Sequence, residues 1–183
     1  LTAEDSHELR QITGVGLPPM GRLQVTGEVR RATDTHESIT GSVNLESEKL
    51  GQFSAEGILG KQWKIGSQLE LKFKVDRLSK AIAVLPIPLQ GDVPLQAQAI
   101  VRTDGETLQV TELRVTAGRN DISGEISYPL NETDNHRQKI DGRLASEYFN
   151  LNDIFPKKEK KYLFGEELIP LTWADRYDVD LEY

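Results

Sequence analysis

The chain predicts a mainly β protein: a curled, twisted antiparallel sheet with short helices, built from about two repeats of 70 residues. Three observations carry this. The stretch QLELKFKV, Gln68 to Val75, alternates strictly between polar and apolar residues. Such alternation places every apolar side chain on one face of a strand. Further alternating runs recur along the chain, the pattern of an antiparallel sheet with one dry and one wet face. Finally, proline and glycine punctuate the chain at a constant offset: Pro18 and Pro88, Gly21 and Gly91, and Ile12 and Ile82 each stand 70 residues apart. A recurring supersecondary unit leaves that signature.

Residues 1–16 are polar with a weak helical pattern (Ala3, Leu9, Ile12), with Thr2 as a cap, and Gly14, Gly16, Pro18, Pro19 and Gly21 stop it. Four alternating runs follow, on Leu23–Val29, Ile39–Leu45, Phe53–Leu59 and Leu69–Val75. Thr33-Asp-Thr, Ser47-Glu-Lys-Leu-Gly and Gly60-Lys-Gln read as the turns between them. From Asp76 to Leu85 the period changes. Asp76 suits a cap, and Leu78, Ile82 and Leu85 fall at helical spacing until Pro86 and Pro88 end the segment. Alternation then resumes on Val93, Leu95, Ala97, Ala99 and Val101, and Thr103-Asp104-Gly105 is a tight-turn signal. Leu108 and Val110 share one parity; Leu113, Val115 and Ala117 take the other. A one-residue slip predicts a β-bulge near Thr111-Glu112. After a turn at Ala117–Asp121 come Ile122, Gly124, Ile126 and Tyr128, a polar loop over 131–138, and a strand on Ile140, Gly142 and Leu144. Residues 151–155 stand where a third helix would start, and Tyr177–Tyr183 alternates as a last strand. The expected organisation is therefore 1–75 as a first β repeat, 76–155 as a second, and 156–183 as a linker and the opening of a further repeat. That last strand is expected to expose an unpaired edge that frays or pairs with another copy. The chain opens on Leu1 and its single methionine is Met20, which reads as a processed chain or an excised segment.

Composition narrows the function classes. With 22 basic and 29 acidic residues the net charge is −7, which disfavours nucleic-acid binding by phosphate neutralisation. There is no cysteine, so disulfides, thiolate catalysis and thiolate metal sites are excluded. No apolar run reaches the ~18 residues of a membrane helix. His7, His36 and His136 are scattered in polar settings, and no HExxH, GxSxG or phosphate-binding loop is present. The carboxylate pairs Glu46/Glu48 and Glu166/Glu167 read as turn charges, not as a general acid and base. Asn131-Glu-Thr133 is a formal glycosylation acceptor. Pro156 to Tyr162, PKKEKKY, reads as a polar surface loop, and Trp63 and Trp173 as core or rim anchors. Gly27, Gly41, Gly57, Gly124 and Gly142 sit on the apolar parity inside strands, where glycine marks a bend or a close approach. No catalytic residue, metal site or cofactor is expected.

Several pieces, in order, carry a family resemblance. They are Asp76-Arg-Leu, then Leu85-Pro-Ile-Pro-Leu-Gln-Gly-Asp-Val-Pro-Leu95, Asp121-Ile-Ser-Gly-Glu-Ile-Ser127, Ile140-Asp-Gly-Arg-Leu-Ala-Ser146, and Phe149-Asn-Leu-Asn-Asp-Ile154. The tail from Leu163-Phe-Gly to Asp178-Val-Asp-Leu-Glu-Tyr183 continues the series. Together they resemble the repeat region of the AsmA family, with Gly165 standing where that family commonly has serine. The resemblance covers nearly the whole chain. It implies the periplasmic part of a protein anchored in the inner membrane of a Gram-negative bacterium, in which a long curled sheet forms an apolar groove. It implies a non-enzymatic role, without cofactor, in moving phospholipid to the outer membrane and maintaining that membrane, as in bridge-like lipid transfer proteins. The residues expected to line the groove and meet acyl chains are Leu69, Leu71, Phe73, Val75, Val93, Leu95, Ile122, Ile126, Ile140 and Leu144. Partners are then phospholipid acyl chains and envelope proteins, and not nucleic acid. The rival from another class is a structural β-domain, such as a two-sheet sandwich, that binds a protein partner and no lipid. A hydrolase would need a carboxylate or histidine cluster in a cleft.

Overall fold

The computed structural model describes residues 2–3, 21–31, 38–60, 65–83, 92–130, 138–150, 153 and 177–182. Ten strands form one open, curled sheet in the order of the chain. They are β1 (Thr2–Ala3), β2 (Leu23–Arg31), β3 (Ile39–Ser47), β4 (Gly51–Leu59) and β5 (Ile65–Val75), then β6 (Leu95–Asp104), β7 (Thr107–Ala117), β8 (Asn120–Pro129), β9 (Gln138–Ala145) and β10 (Tyr177–Glu182). Strands β1 to β9 pair antiparallel with their sequence neighbours. The alternating runs therefore fold as an antiparallel meander.

Register carries the apolar pattern across the sheet. One row runs Val25, Leu45, Phe53, Phe73, Ala97, Val115, Ile122, each residue paired with the next on the adjoining strand. Another runs Val29, Gly41, Gly57, Leu69, Val101, Val110, Ile126, Gly142. A slip of one residue in any strand would turn its apolar set to the other face, so this agreement specifies every pairing. The slip predicted near Thr111-Glu112 is present: pairing with β6 jumps there, pairing with β8 jumps between Val110 and Leu113, and Glu112 takes φ 52°. A second irregularity follows Ile65, where Gly66 takes φ 70°.

The strands end in two unlike rims. At the first lie the start of β2, the β3–β4 turn, the end of β5, the start of β6 and the β7–β8 turn. Here Val75, Leu78, Leu95 and Ala117 form a buried cluster, with Phe73, Val93 and Val115 packed against it. Leu23 and Leu50 form a second, backed by Val25 and Leu45. Burying a side chain of this size stabilises by about 1.5–3 kcal/mol. Hydrogen bonds tie the rim together: the Leu78 amide donates to Val93 O at 2.7 Å and the Gly118 amide to Pro94 O at 3.0 Å. The chain leaving β9 is clipped to the same rim. Asp121 accepts from the amides of Glu147 (3.0 Å) and Tyr148 (2.9 Å). The buried Asn120 accepts from the Asn150 amide and donates to Ala117 O. Arg119 lies 4.6 Å from the Tyr148 ring centroid, a cation–π distance. The opposite rim holds the ends of β2, β4, β6 and β8 and the starts of β3, β5, β7 and β9. There Asp104 accepts from the amides of Glu106 (2.9 Å) and Thr107 (2.7 Å), closing the predicted turn around Gly105.

Several expectations change. Thr2–Ala3 is a short strand paired with Leu23 and Gln24, not the cap of a helix. The segment after β5 is a six-residue 3-10 helix, Leu78–Ala83, the short form usual in connectors. Val93 precedes β6, within a bend. Glu46 lies inside β3, not in a turn. Strand β10 is the last of the sheet and runs parallel to β9, with Val179 opposite Ile140 and Leu181 opposite Gly142; its other side is the expected strand edge, with no further strand among the described residues. A parallel neighbour cannot follow a tight turn, because the chain must first return to the rim where its partner began. The sheet runs through residue 75 without a break, as the single curled sheet expected from the sequence requires. The rest of the weakly helical segment 1–16, the segment 156–161, all three histidines and both tryptophans lie outside the described residues.

Candidate functional site

The apolar face is the candidate site, because it is the feature that register builds across the molecule. The structure places Leu69, Leu71, Phe73, Ile122, Ile126, Ile140 and Leu144 on it. Leu71 sits between Ala55 and Ala99, and Leu69 between Gly57 and Val101. Ile126 lies between Val110 and Gly142, and Leu144 faces Gly124. All seven are half-buried. The other three proposed lining residues are placed differently. Val75 and Leu95 are buried in the closed rim beside Leu78, and Val93 packs against them from outside the strand. Those residues form core, and a ligand on the face would not reach Val75 or Leu95. The reason is that parity reports which face a side chain takes, not what covers the strand end.

The same face carries residues that the sequence reading left out. Val29, Ile39, Val43 and Phe53 lie on it and are exposed. Their alternation is as regular as that of β5, so the signal was present in β2 to β4. Glycine interrupts the face at Gly41 and Gly57, which pair with each other and leave two strands of bare backbone between Val29 and Leu69. Gly57 (φ 147°) and Gly124 (φ 150°) adopt a conformation other residues rarely take. A Cβ on either would run into the neighbouring strand's carbonyl, of Gln68 or of Arg143.

The opposite face is polar, and shallow depressions open on it. One of about 770 Å³ is lined by Lys72, Lys74, Arg114, Glu46 and the amides of Gln52 and Gln98, among others. A second, about 500 Å³, is bordered by Glu125, Asp141, Arg143, Asp180 and Glu182. The third, about 370 Å³, lies between Glu28, Thr40, Glu56 and Ile58. Ion pairs cross this surface: Lys72 to Glu70 (2.6 Å), Lys139 to Asp141 (2.7 Å) and Asp180 (3.2 Å), and Arg143 to Glu182 (3.2 Å). The hydrogen bond and charge of Glu70 raise the Lys72 pKa; those of Asp141 and Asp180 raise that of Lys139. Backbone amides of Thr107 and Glu106 lower the Asp104 pKa. These groups are solvated, where ion pairs contribute little. Among the described residues no group of His, Asp or Glu is arranged to hold a metal, and no helix is long and apolar enough to cross a membrane.

The chain matches no protein-family model, no curated protein and no solved structure.

Proposed function

We propose that this chain is a non-enzymatic, lipid-handling segment of an AsmA-like envelope protein, which holds phospholipid acyl chains against the apolar face of its sheet in the periplasm. One observation carries the reading: the apolar rows stay in register from β2 to β9 while their side chains remain half-exposed, and the described residues supply no second layer to cover them. Eight strands at ~4.8 Å spacing make a face about 35 Å across. An apolar surface of that extent needs an occupant. Burial against a hydrocarbon tail supplies it through area, with no directional contact required.

The acyl-chain reading predicts copurifying lipid in native mass spectrometry and displacement of a fluorescent fatty acid by phospholipid. A second reading is a β-domain that binds a protein partner and no lipid. One observation favours it: the depressions described above open on the polar face, not the apolar one. Absence of both copurifying lipid and fatty-acid displacement would sink the acyl-chain reading and leave the second.

A further inference from the structure

We propose that the rim at the ends of β2 and β4 and the starts of β3 and β5 is a membrane-docking edge, whose aliphatic side chains enter the interfacial region of a phospholipid bilayer. Seven large hydrophobic residues are exposed among the described ones, and four of them gather at this rim: Val29 (66%), Ile65 (59%), Ile58 (43%) and Ile39 (40%). They stand within two residues of a strand end. Register brings the strand ends together, with Ile39 opposite Leu59, and Thr40 opposite Ile58. The four come from both faces of the sheet, since Ile58 has the parity of Glu56 and Val29 that of Val25. They therefore belong to the rim itself and not only to the apolar face. The opposite rim buries its aliphatic residues in two clusters, so the contrast lies along the strands.

The chemistry fits a bilayer better than a second copy of this chain. Four aliphatic side chains present on the order of a few hundred Å², short of the ~800 Å² per partner of a standard protein interface. Entry into a lipid interface has no such threshold; it scales with apolar area and with attraction to anionic headgroups. Cations stand at one end of this edge. Arg30 and Arg31 end β2 at this rim, exposed, on a chain of net charge −7. Arg30 is partnered by Glu28 at 2.9 Å, which leaves its remaining donors for phosphate. The proposal rests on the acyl-chain reading for its purpose, since the row from Val29 across bare Gly41 and Gly57 to Leu69 joins this rim to the middle of the face.

The test is cosedimentation of the chain with vesicles of phosphatidylethanolamine and phosphatidylglycerol, beside vesicles of phosphatidylcholine alone. Wild type is expected to sediment with the anionic vesicles. Ile39→Asp/Ile65→Asp is expected to lower that binding at least tenfold, and Arg30→Gln/Arg31→Gln several-fold on the anionic vesicles only. Phe149→Asp, an exposed hydrophobe (42%) beyond the closed rim, should bind as wild type does. Far-UV circular dichroism checks each fold, and Ile65→Ser alone carries the test if the double variant unfolds. The proposal is overturned if wild type stays in the supernatant, if the rim variants bind unchanged, or if Phe149→Asp loses as much. It is also overturned if light scattering shows a dimer that the rim variants abolish. Fatty-acid displacement on the same samples separates the two readings. Displacement without sedimentation overturns the rim alone, and sedimentation without displacement overturns the acyl-chain reading alone.

Discussion

Replacing Gly124 with alanine tests whether the curl of the sheet depends on backbone that only glycine can adopt. Gly124 sits in β8 at φ 150°, facing Leu144 of β9. A Cβ there would meet the Arg143 carbonyl oxygen well inside contact distance, with Leu144 Cα at 3.0 Å. Two costs follow. Holding alanine in this region strains the backbone by about 1–3 kcal/mol. Moving the Arg143 carbonyl away weakens a ladder hydrogen bond worth about 1 kcal/mol. The stiffer unfolded chain returns about 0.4–1 kcal/mol. The net loss is about 2 kcal/mol, a sizeable part of a total stability of about 5–15 kcal/mol. In a chain of this size that lowers the melting temperature by about 4–8 °C. Gly66 is the control: it has φ 70° but nothing within 4 Å of its Cβ position. Gly66→Ala therefore keeps only the conformational term of about 1–2 kcal/mol, less the same unfolded-state gain. Urea and thermal unfolding followed by circular dichroism measure both. A Gly124→Ala midpoint equal to that of Gly66→Ala, or within about 0.5 kcal/mol of wild type, would refute the close-approach argument.

Three further outcomes are expected. Leu78→Ala empties the centre of the closed-rim cluster and should cost about 2–4 kcal/mol in urea unfolding while fatty-acid displacement persists; loss of displacement at intact fold would mean that the cluster belongs to the ligand site. Asp121→Ala removes the acceptor for two backbone amides, worth about 1.5–3 kcal/mol each to a charged group, so the amides of Glu147 and Tyr148 should lose hydrogen-exchange protection before those of β8. Asp104 has its folded pKa held below the unfolded value, so its contribution is present above the ordinary carboxylate range and is lost as pH falls through the depressed value. Acid titration by NMR should therefore show the Glu106 and Thr107 amide resonances moving only once the pH has fallen below the ordinary carboxylate range, and an Asp104 midpoint at or above the ordinary value would contradict the turn geometry.

The strands were legible because one face is wet, so each buried position announces itself by its neighbours' polarity. The β7 bulge was legible for the same reason: Val110 and Leu113 cannot share a face at regular spacing. Glycine and aspartate marked the turn at Asp104-Gly105 through side-chain chemistry that is local. What escaped depends on distance. Strand β10 shows its alternation plainly, yet its parallel pairing is decided by where a long connection brings the chain, and residues 177–182 hold no record of that. Two paired residues in β1 are too few for any period to emerge. Val75 and Leu71 look alike in QLELKFKV, and only the 3-10 helix packed over the strand end makes one core and leaves the other half-open. The rim residues Ile58 and Ile65 sit off the apolar parity or beyond the expected strand, so alternation gave no reason to group them.

The bulge at Thr111-Glu112 also bears on how this sheet tolerates changes of length. Removing a residue from a regular strand inverts everything beyond the cut, exchanging hydrocarbon for charge along the remaining half. In β7 the extra residue is already there. Without Glu112, the residues from Leu108 to Ala117 would fall into a single uninterrupted alternation, and the one non-glycine residue with positive φ among the described positions would be gone. An insertion or deletion that would scramble β6 becomes, in β7, a move between two phases that both keep Val110 and Val115 on the apolar side. This strand is thus a place where a lineage could gain or lose a residue inside the sheet and keep its surface chemistry intact.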